Sequence, residues 1–256
     1  MDSGALQYLE IHIVDHCNLN CKGCSHFSPL SSKNFLNIIE FEKDLNQLKK
    51  HISSIDQLRL MGGEPLLHPE LVDFLRIARK IYPNDRIAVV SNGILIPKLK
   101  RNVFLALKKF NIELHLTKYP TDKQNLESIL VKLKRFSIEY YLLETDVFYR
   151  HIDIKNQRNK RDSFNICRKS YYCPALKNGE LFQCSGLAYI NILIDYFKIE
   201  SISLPKGLNI YDSGINYKSI IEFLDSPDEC CAHCYYGNSS YKWGLSNNEI
   251  SEWIIK

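Results

Sequence analysis

Short apolar runs alternate with amphipathic segments over residues 6–145. The runs are β-branched or alternate with polar residues, which predicts strands over 6–14, 55–61, 86–90, 112–116 and 138–143. Between them, apolar residues recur at helical spacing on one face, which predicts helices over 41–52, 71–81, 99–110 and 126–133. Repeated strand–helix units indicate an α/β fold with a parallel sheet, helices outside it, and ligands bound at the carboxyl ends of the strands.

Five predicted strands are too few to close an eight-stranded barrel, so we expect an open, partial parallel β/α barrel. The alternation stops after residue 146, and the segment 153–164 is polar and charged. A short helix is predicted over 217–224, with Ser219 and Glu222 as a possible capping box. We place a domain boundary between 146 and 160, which divides the chain into domains 1–150 and 151–256.

Composition limits the partners and the compartment. The formal charge is +4, from 33 basic and 29 acidic residues scattered along the chain, so a nucleic-acid partner is not expected. The strongest basic cluster, 158–161, is predicted to be a solvated linker, with a phosphate-binding patch as the alternative. No signal peptide and no membrane span are predicted. Without a secretory signal, nine cysteines favour metal-bound thiolates in a reducing cytoplasm over disulfides.

Three cysteines with the spacing Cys17-x3-Cys21-x2-Cys24 follow the first predicted strand. Structural zinc and four-iron clusters both normally take four ligands, so a three-thiolate site leaves one metal position open for a substrate or cofactor. Half of a zinc knuckle is the alternative, but a spacing of three residues is unusual for zinc.

The run from Cys17 to Cys24 resembles the signature of the radical S-adenosylmethionine (SAM) superfamily. This resemblance implies a [4Fe-4S] cluster whose open iron is chelated by the amino and carboxylate groups of SAM. One residue departs from the family pattern: Gly23 stands where an aromatic residue usually contacts the adenine. His26 or Phe27 could supply that contact, or could simply pack the loop.

Two further motifs follow in the order that the superfamily shows: Gly62-Gly63-Glu64 after the second predicted strand, and Ser91-Asn92 after the third. Glycine pairs permit close backbone approach, and a carboxylate accepts hydrogen bonds from an ammonium group. Alone, either motif could be a polar turn after a strand. The resemblance implies that they bind SAM, the first through its amino group, and the residues concerned are Gly62, Gly63, Glu64, Ser91 and Asn92.

Six more cysteines lie in the C-terminal part of the chain. Their layout resembles the twitch form of the SPASM auxiliary domain, in which Gly179 turns a hairpin. The resemblance implies a second [4Fe-4S] cluster on Cys167, Cys184, Cys231 and Cys234. Cys173 and Cys230 stay unassigned, and Cys173 could replace Cys167. A structural zinc site on the same thiolates is the alternative.

The size and cysteine layout are similar to those of small twitch enzymes such as 2-deoxy-scyllo-inosamine dehydrogenases. That resemblance implies an oxidoreductase that generates a 5′-deoxyadenosyl radical and oxidises a carbinol carbon of a sugar or cyclitol, with the auxiliary cluster as electron acceptor. It also implies a small-molecule substrate, an external electron donor such as flavodoxin or ferredoxin, and a catalytic arginine, for which Arg150 is the candidate.

Three other functions stay open. A radical SAM epimerase would use a spare thiol as hydrogen donor, and a peptide-modifying enzyme would act on a ribosomally made substrate. A non-enzymatic iron-sulfur or zinc protein would only bind a partner.

Overall fold

The computed structural model describes residues 4–155, 157–237 and 239–255. The strands are β1 Gly4–Leu6, β2 Leu9–Val14, β3 Ile52–Ile55, β4 Gln57–Gly62, β5 Arg86–Ser91, β6 Ile112–Lys118, β7 Tyr140–Glu144, β8 Val147–Tyr149, β9 Ala175–Lys177, β10 Glu180–Phe182, β11 Leu208–Asn209 and β12 Ser240–Lys242. The α-helices are α1 Ile38–Lys49, α2 Leu71–Ile81, α3 Arg101–Lys109, α4 Leu126–Phe136, α5 Lys160–Ser170, α6 Ser185–Phe197 and α7 Tyr217–Leu224.

An eight-stranded sheet in the order β11-β10-β9-β2-β4-β5-β6-β7 runs through the molecule. Strands β2, β4, β5, β6 and β7 are parallel, and helices α1 to α4 connect them in sequence. Strands β11 and β7 stand at opposite ends of the sheet, which does not close. The expected open, mainly parallel α/β architecture is therefore confirmed.

The core lies between the sheet and its helices because their apolar faces match. Leu9, Ile11 and Ile13 alternate along β2 and are buried, as are the side chains that α1 and α2 turn toward them. Asparagine residues begin several helices: the Asn37 side chain accepts hydrogen bonds from the amides of Ile39 and Glu40 at the start of α1.

The C-terminal half adds a hairpin to the same sheet. Asn178 and Gly179 both have positive φ, 50° and 75°, as a two-residue hairpin turn requires, so the turn predicted at Gly179 is present between β9 and β10. Strand β9 pairs in parallel with β2 at Ala175 and Glu10. Because Leu176 and Leu181 also join the main core, sheet and core both cross residue 150.

Two local expectations were wrong. The capping box of α7 is formed by Asn216 and Ser219 and not by Ser219 and Glu222, because the helix begins at Tyr217. The Asn216 side chain accepts from the Ser219 amide, and the Ser219 hydroxyl accepts from the Asn216 amide. The segment predicted as a solvated linker contains the start of α5, capped by Asn159, and Arg158 pairs with Asp153 at 3.0 Å. No helix in the described part of the chain has the length and apolarity needed to cross a membrane.

Candidate active site

The first cysteine loop leaves the carboxyl end of β2. Cys17, Cys21 and Cys24 are free thiols without a disulfide, and burial together with the neighbouring Cys24 raises the pKa of Cys21 to about 12. Burial and the Glu64 carboxylate raise the pKa of Cys17 as well. Buried thiols that oppose each other's ionisation are stabilised as thiolates by a bound metal, and an all-sulfur donor set suits iron. The three residues therefore fit a cluster.

The glycine pair at the end of β4 packs directly against this loop. A Cβ atom at Gly62 would lie 2.0 Å from the Val14 carbonyl oxygen, and one at Gly63 would lie 2.0 Å from that of His16. The Gly63 amide donates to the Val14 carbonyl oxygen at 2.7 Å. In the structure, these glycines hold the loop and the second motif at close backbone distance.

Glu64 and the third motif meet behind the loop. Glu64 is fully buried and accepts hydrogen bonds from the Leu66 amide at 3.0 Å, the Ser91 hydroxyl at 2.7 Å and the Asn92 amide at 3.0 Å. Burial raises the pKa of Glu64 to about 7, although these three bonds favour the carboxylate. The structure thus brings Glu64, Ser91 and Asn92 together.

Asn92 connects this group to the cysteines. Its side-chain amide donates to Asn18 Oδ1 at 2.8 Å and lies 3.5 Å from Cys17 Sγ. Gln124 holds the segment in place by donating to the carbonyl oxygens of Asn92 at 2.6 Å and Thr117 at 2.7 Å. Gln124 stands in a polar segment that no motif marks, so the sequence did not predict this role.

The C-terminal segment covers the cysteine loop, which the sequence analysis did not foresee. Trp243 Nε1 donates to Cys21 Sγ at 3.2 Å, and Trp253 Nε1 donates to the Cys24 carbonyl oxygen at 2.9 Å. The Lys22 amide donates to the Gly244 carbonyl oxygen at 2.8 Å. The signal available in the sequence was that the chain's 2 tryptophans both lie near its C-terminus.

This cover explains Gly23. Its φ is +59°, and a Cβ atom there would lie 1.6 Å from the Tyr241 hydroxyl oxygen. The two residues considered for the adenine contact both pack against other side chains. Phe27 lies in a buried cluster with Leu30, and the ring of His26 meets that of His12, with centroids 4.8 Å apart.

Five thiols line a second cavity in the C-terminal half. The backbones of Cys173 and Cys184 form an isolated β-bridge. Four of the thiols are those predicted as ligands of an auxiliary cluster, and Cys173 is the fifth; the set is Cys167, Cys173, Cys184, Cys231 and Cys234. Cys230 stands apart from this lining, since its thiol donates to the Ser203 carbonyl oxygen at 3.1 Å. The donor set fits an iron-sulfur cluster, and the choice of four ligands among five stays a prediction.

A larger cavity of about 350 Å³ adjoins both cysteine groups. Gly23 and Ser25 of the first loop line it, and so do Cys167, Cys173 and Cys184. This is the space in which a substrate would contact both sites.

Arg150 lies beside this cavity but not in its described lining. Its Nε donates to the Ser251 carbonyl oxygen at 2.7 Å, and its guanidinium lies over the Tyr241 ring at 4.6 Å. The neighbouring Tyr149 and His151 do line the cavity. The substrate-binding role of Arg150 stays a prediction.

Comparison with known proteins supplies the context for this geometry. Residues 11–135 match the family model of the radical SAM superfamily. A GTP 3′,8-cyclase of Alkaliphilus oremlandii is 32% identical over 114 residues, which cover 44% of this chain and 36% of that protein. A GTP 3′,8-cyclase of Clostridium perfringens is 25% identical over 288 residues, which cover 98% of this chain and 89% of that protein.

The match to the first two curated relatives spans only about a third of their length, 36% and 35%. Among solved structures, BtrN in complex with AdoMet and 2-DOIA is similar, with a TM-score of 0.52 and 14% identity. That match covers 90% of this chain and 93% of BtrN. At this identity the likeness shows the fold alone.

Proposed function

Because residues 11–135 match the family model of the radical SAM superfamily, we propose that this chain belongs to it, that Cys17, Cys21 and Cys24 hold a [4Fe-4S] cluster, and that SAM binds beside the cluster. The observation that carries this proposal is the convergence of the cysteine loop, Glu64 and Asn92 at the carboxyl ends of three neighbouring parallel strands. A reduced cluster bound there would supply the electron that cleaves SAM to methionine and a 5′-deoxyadenosyl radical, and that radical would remove a hydrogen atom from a substrate carbon.

The residues of the chain position and shield these groups. Glu64 offers a carboxylate to the SAM ammonium group, and Ser91 and Asn92 keep that carboxylate in place. Trp243 and Trp253 fasten the C-terminal segment over the cysteine loop and keep water from it.

We further propose that the reaction is the oxidation of a carbinol carbon to a carbonyl in a sugar or cyclitol. After the carbon loses a hydrogen atom, the hydroxyl must release its proton to water and the carbon must give up one more electron. A second cluster on four of the C-terminal thiols would accept that electron, and the cavity between the two cysteine groups supports this because it adjoins both. An external donor such as flavodoxin or ferredoxin would reduce the first cluster.

The lining of the cavity supports a neutral polar substrate. None of the described residues that line it is a lysine or an arginine, while Tyr149, Tyr171 and Ser185 offer hydroxyl groups. A nucleoside triphosphate would need cationic side chains to balance its phosphates.

A second candidate is a cyclisation like the one for which the curated relatives are named, since the match to the Clostridium perfringens protein covers 98% of this chain. Binding assays with GTP and with neutral sugars and cyclitols separate the two candidates. Tight GTP binding in the reconstituted enzyme would overturn the carbinol proposal.

The primary test is iron content and SAM cleavage. Anaerobic reconstitution should give about eight iron per chain, and replacement of Cys17, Cys21 and Cys24 by Ala should leave about four. Reduction in the presence of SAM should release 5′-deoxyadenosine from the wild type and none from the triple variant. Zinc in place of the second cluster would contradict the auxiliary assignment.

Turnover in deuterated water separates oxidation from epimerisation. Oxidation forms a carbonyl and places no solvent deuterium at the reacting carbon. An epimerase would return a hydrogen from a thiol such as Cys173 or Cys230, so deuterium at that carbon, lost in Cys173→Ala or Cys230→Ala, would show that the product is an epimer.

A further inference from the structure

Three polar side chains converge beside the cavity, outside both cysteine groups. Glu10 and His12 project from the same face of β2, and His26 follows the first cysteine loop. One carboxylate oxygen and one ring nitrogen from each imidazole lie within 4.8 Å of one another. Apart from the adenine contact considered for His26, none of the three belongs to the proposed cluster ligands or SAM-binding residues.

Glu10 and His12 are buried, His26 is half-buried, and two polar atoms of the group have no partner among the described residues. Glu10 is 5% exposed and His12 is 4% exposed. Among the described residues, Glu10 Oε2 and His12 Nε2 have no hydrogen-bond partner. Buried polar atoms are nearly always satisfied in folded proteins, so two such atoms aimed at the same place indicate a missing ligand.

Arg59 of β4 is the cross-strand neighbour of Glu10, but in the described structure no ion pair joins the two. No salt bridge reaches Glu10 among the described residues. The nearby Arg59 lies over the Tyr8 ring at 4.8 Å, and the Lys177 amino group donates to the Ala188 carbonyl oxygen and to Asn191. A buried carboxylate without a positive partner is costly, and a bound cation would remove that cost.

We propose that Glu10, His12 and His26 bind one divalent first-row transition-metal cation. Two imidazoles and one carboxylate form a donor set that suits such ions and leaves coordination positions open. Because Glu10 also lines the 350 Å³ cavity, an open position faces the space proposed for the substrate. The cation is separate from the iron of both clusters.

Neighbouring residues orient the three donors. The Tyr8 hydroxyl donates to Glu10 Oε1 at 2.5 Å, which leaves Oε2 for the cation. The His12 ring stacks on that of Tyr189, with centroids 3.7 Å apart and an interplanar angle of 13°. Partners of this kind fix ligand orientation at metal sites, and their loss typically weakens binding 10- to 100-fold.

The proposal does not depend on SAM cleavage. If the proposed oxidation is correct, the cation has a direct use there, because a Lewis acid beside the cavity would bind a substrate oxygen and favour release of its proton. The binding test below is independent of turnover, so a failure of either proposal leaves the other to be judged on its own result.

The test uses Mn²⁺ as the probe with the anaerobically reconstituted holoprotein, kept without reductant so that its four-iron clusters give no paramagnetic signal. The loss of free Mn²⁺ signal on titration counts bound ions by electron paramagnetic resonance. Wild type should bind one Mn²⁺ per chain, and Zn²⁺ should displace it. Mn²⁺ disfavours thiolate ligands, so the cysteines do not compete.

Glu10→Gln and His26→Gln should each weaken Mn²⁺ binding at least tenfold, and Tyr8→Phe should weaken it to a smaller extent. The matched control is Glu113→Gln, which removes a carboxylate from β6, a strand of the same sheet that is not adjacent to β2. This carboxylate is already paired with Arg86 and His115. That variant should bind Mn²⁺ like wild type. Iron content verifies that each variant is folded.

A second readout is thermal: Mn²⁺ should raise the melting temperature of wild type and Glu113→Gln but not of Glu10→Gln. Two results would overturn the proposal. One is wild-type Mn²⁺ binding no tighter than that of Glu10→Gln and His26→Gln. The other is an equal loss of binding in Glu113→Gln, which would show that the ion responds only to the general charge of the protein.

Discussion

The carboxylate of Glu64 shows how burial and hydrogen bonds act against each other on the ionisation of one side chain. Three donors surround it, and they lower the cost of its ionised form, while full burial raises that cost. Burial is the larger effect, so the pKa of Glu64 lies at about 7. Residue Trp243 has a comparable local role at Cys21, because an indole N–H directed at a thiolate sulfur stabilises negative charge there.

Glu64→Gln should weaken SAM binding by about 1 to 3 kcal/mol, or about 5- to 150-fold, because a neutral amide replaces the charged acceptor of the SAM ammonium group. Equilibrium binding of SAM to the reconstituted protein measures this. Iron content should equal that of wild type, and Glu113→Gln should bind SAM normally. Unchanged affinity in Glu64→Gln would mean that the motif is only a turn.

The same carboxylate predicts a pH dependence. The ionised fraction of Glu64 rises as the pH passes through about 7, so SAM affinity should increase several-fold between about pH 6 and 7.5 and stay flat in Glu64→Gln. The stability of the SAM-free protein should depend on pH in the opposite direction to SAM affinity. Because the folded pKa lies above the ordinary value of 4.5, the contribution of Glu64 to the free energy of unfolding falls as the pH rises through about 7.

Trp243→Phe should lower the reduction potential of the first cluster by about 40 mV. The indole N–H donates to Cys21 Sγ, and loss of about 1 kcal/mol of preference for the reduced state corresponds to that shift for one electron. A redox titration followed by electron paramagnetic resonance measures it. Trp253→Phe is the matched control, since its indole donates to a backbone carbonyl oxygen; an equal shift there would exclude the sulfur contact as the cause.

At the scale of elements, the first cysteine loop is held between the ends of β2 and β4 on one side and the C-terminal segment on the other. The glycine pair permits the first contact, and Gly23 permits the second. Strand β12 also pairs with β8, the strand that precedes Arg150. The site is thus assembled from elements that lie at both ends of the chain.

Gly23→Ala should destabilise the protein by about 1 to 3 kcal/mol, because its φ of +59° disfavours a side chain and the new Cβ would collide with the Tyr241 hydroxyl. Denaturant unfolding measures the loss. Adding Tyr241→Phe should recover part of it.

Gly244→Ala is the control for this prediction, since a Cβ there would meet nothing within 4 Å and should cost little. If Gly23→Ala were as stable as Gly244→Ala, the C-terminal segment would not be packed against the loop as described.

At the scale of the whole molecule, the sheet and the main core extend beyond the boundary predicted near residue 150. Strand β9 continues the sheet from β2, and the core contains side chains from well beyond that boundary: Leu176, Leu181, Ile210, Ile220 and Leu224. The division into domains 1–150 and 151–256 stays a prediction, and this packing makes it testable.

The fragment 1–150 should aggregate or unfold without cooperativity, because it loses β9, which pairs with one edge of β2, and exposes part of the shared core. The full chain should unfold in a single transition. Circular dichroism during thermal unfolding, with sedimentation of the fragment, measures both. A soluble fragment with a sharp transition would instead support an independent N-terminal domain.

The alternation of strands and helices, the open parallel sheet and the order of the first three motifs were predictable from the amino-acid sequence alone. These features depend on local information: apolar periodicity decides which face of an element is buried, and short spacings such as Cys17-x3-Cys21-x2-Cys24 place thiols in one loop. Because parallel strands end at one edge of the sheet, topology then brought Glu64 and Asn92 toward that loop.

Three features became apparent only in the folded chain: the segment that covers the cysteine loop, the thiols that share a cavity, and the polar groups that have no partner among the described residues. Trp243 and Cys21 are 222 positions apart, and no periodicity or motif connects them. Cys173 and Cys230 are equivalent as spare cysteines in the sequence, yet one lines the thiol cavity and the other bonds to Ser203. Contacts of this kind depend on the packing of whole elements, which bring together side chains whose separation along the chain carries no information about their distance in space.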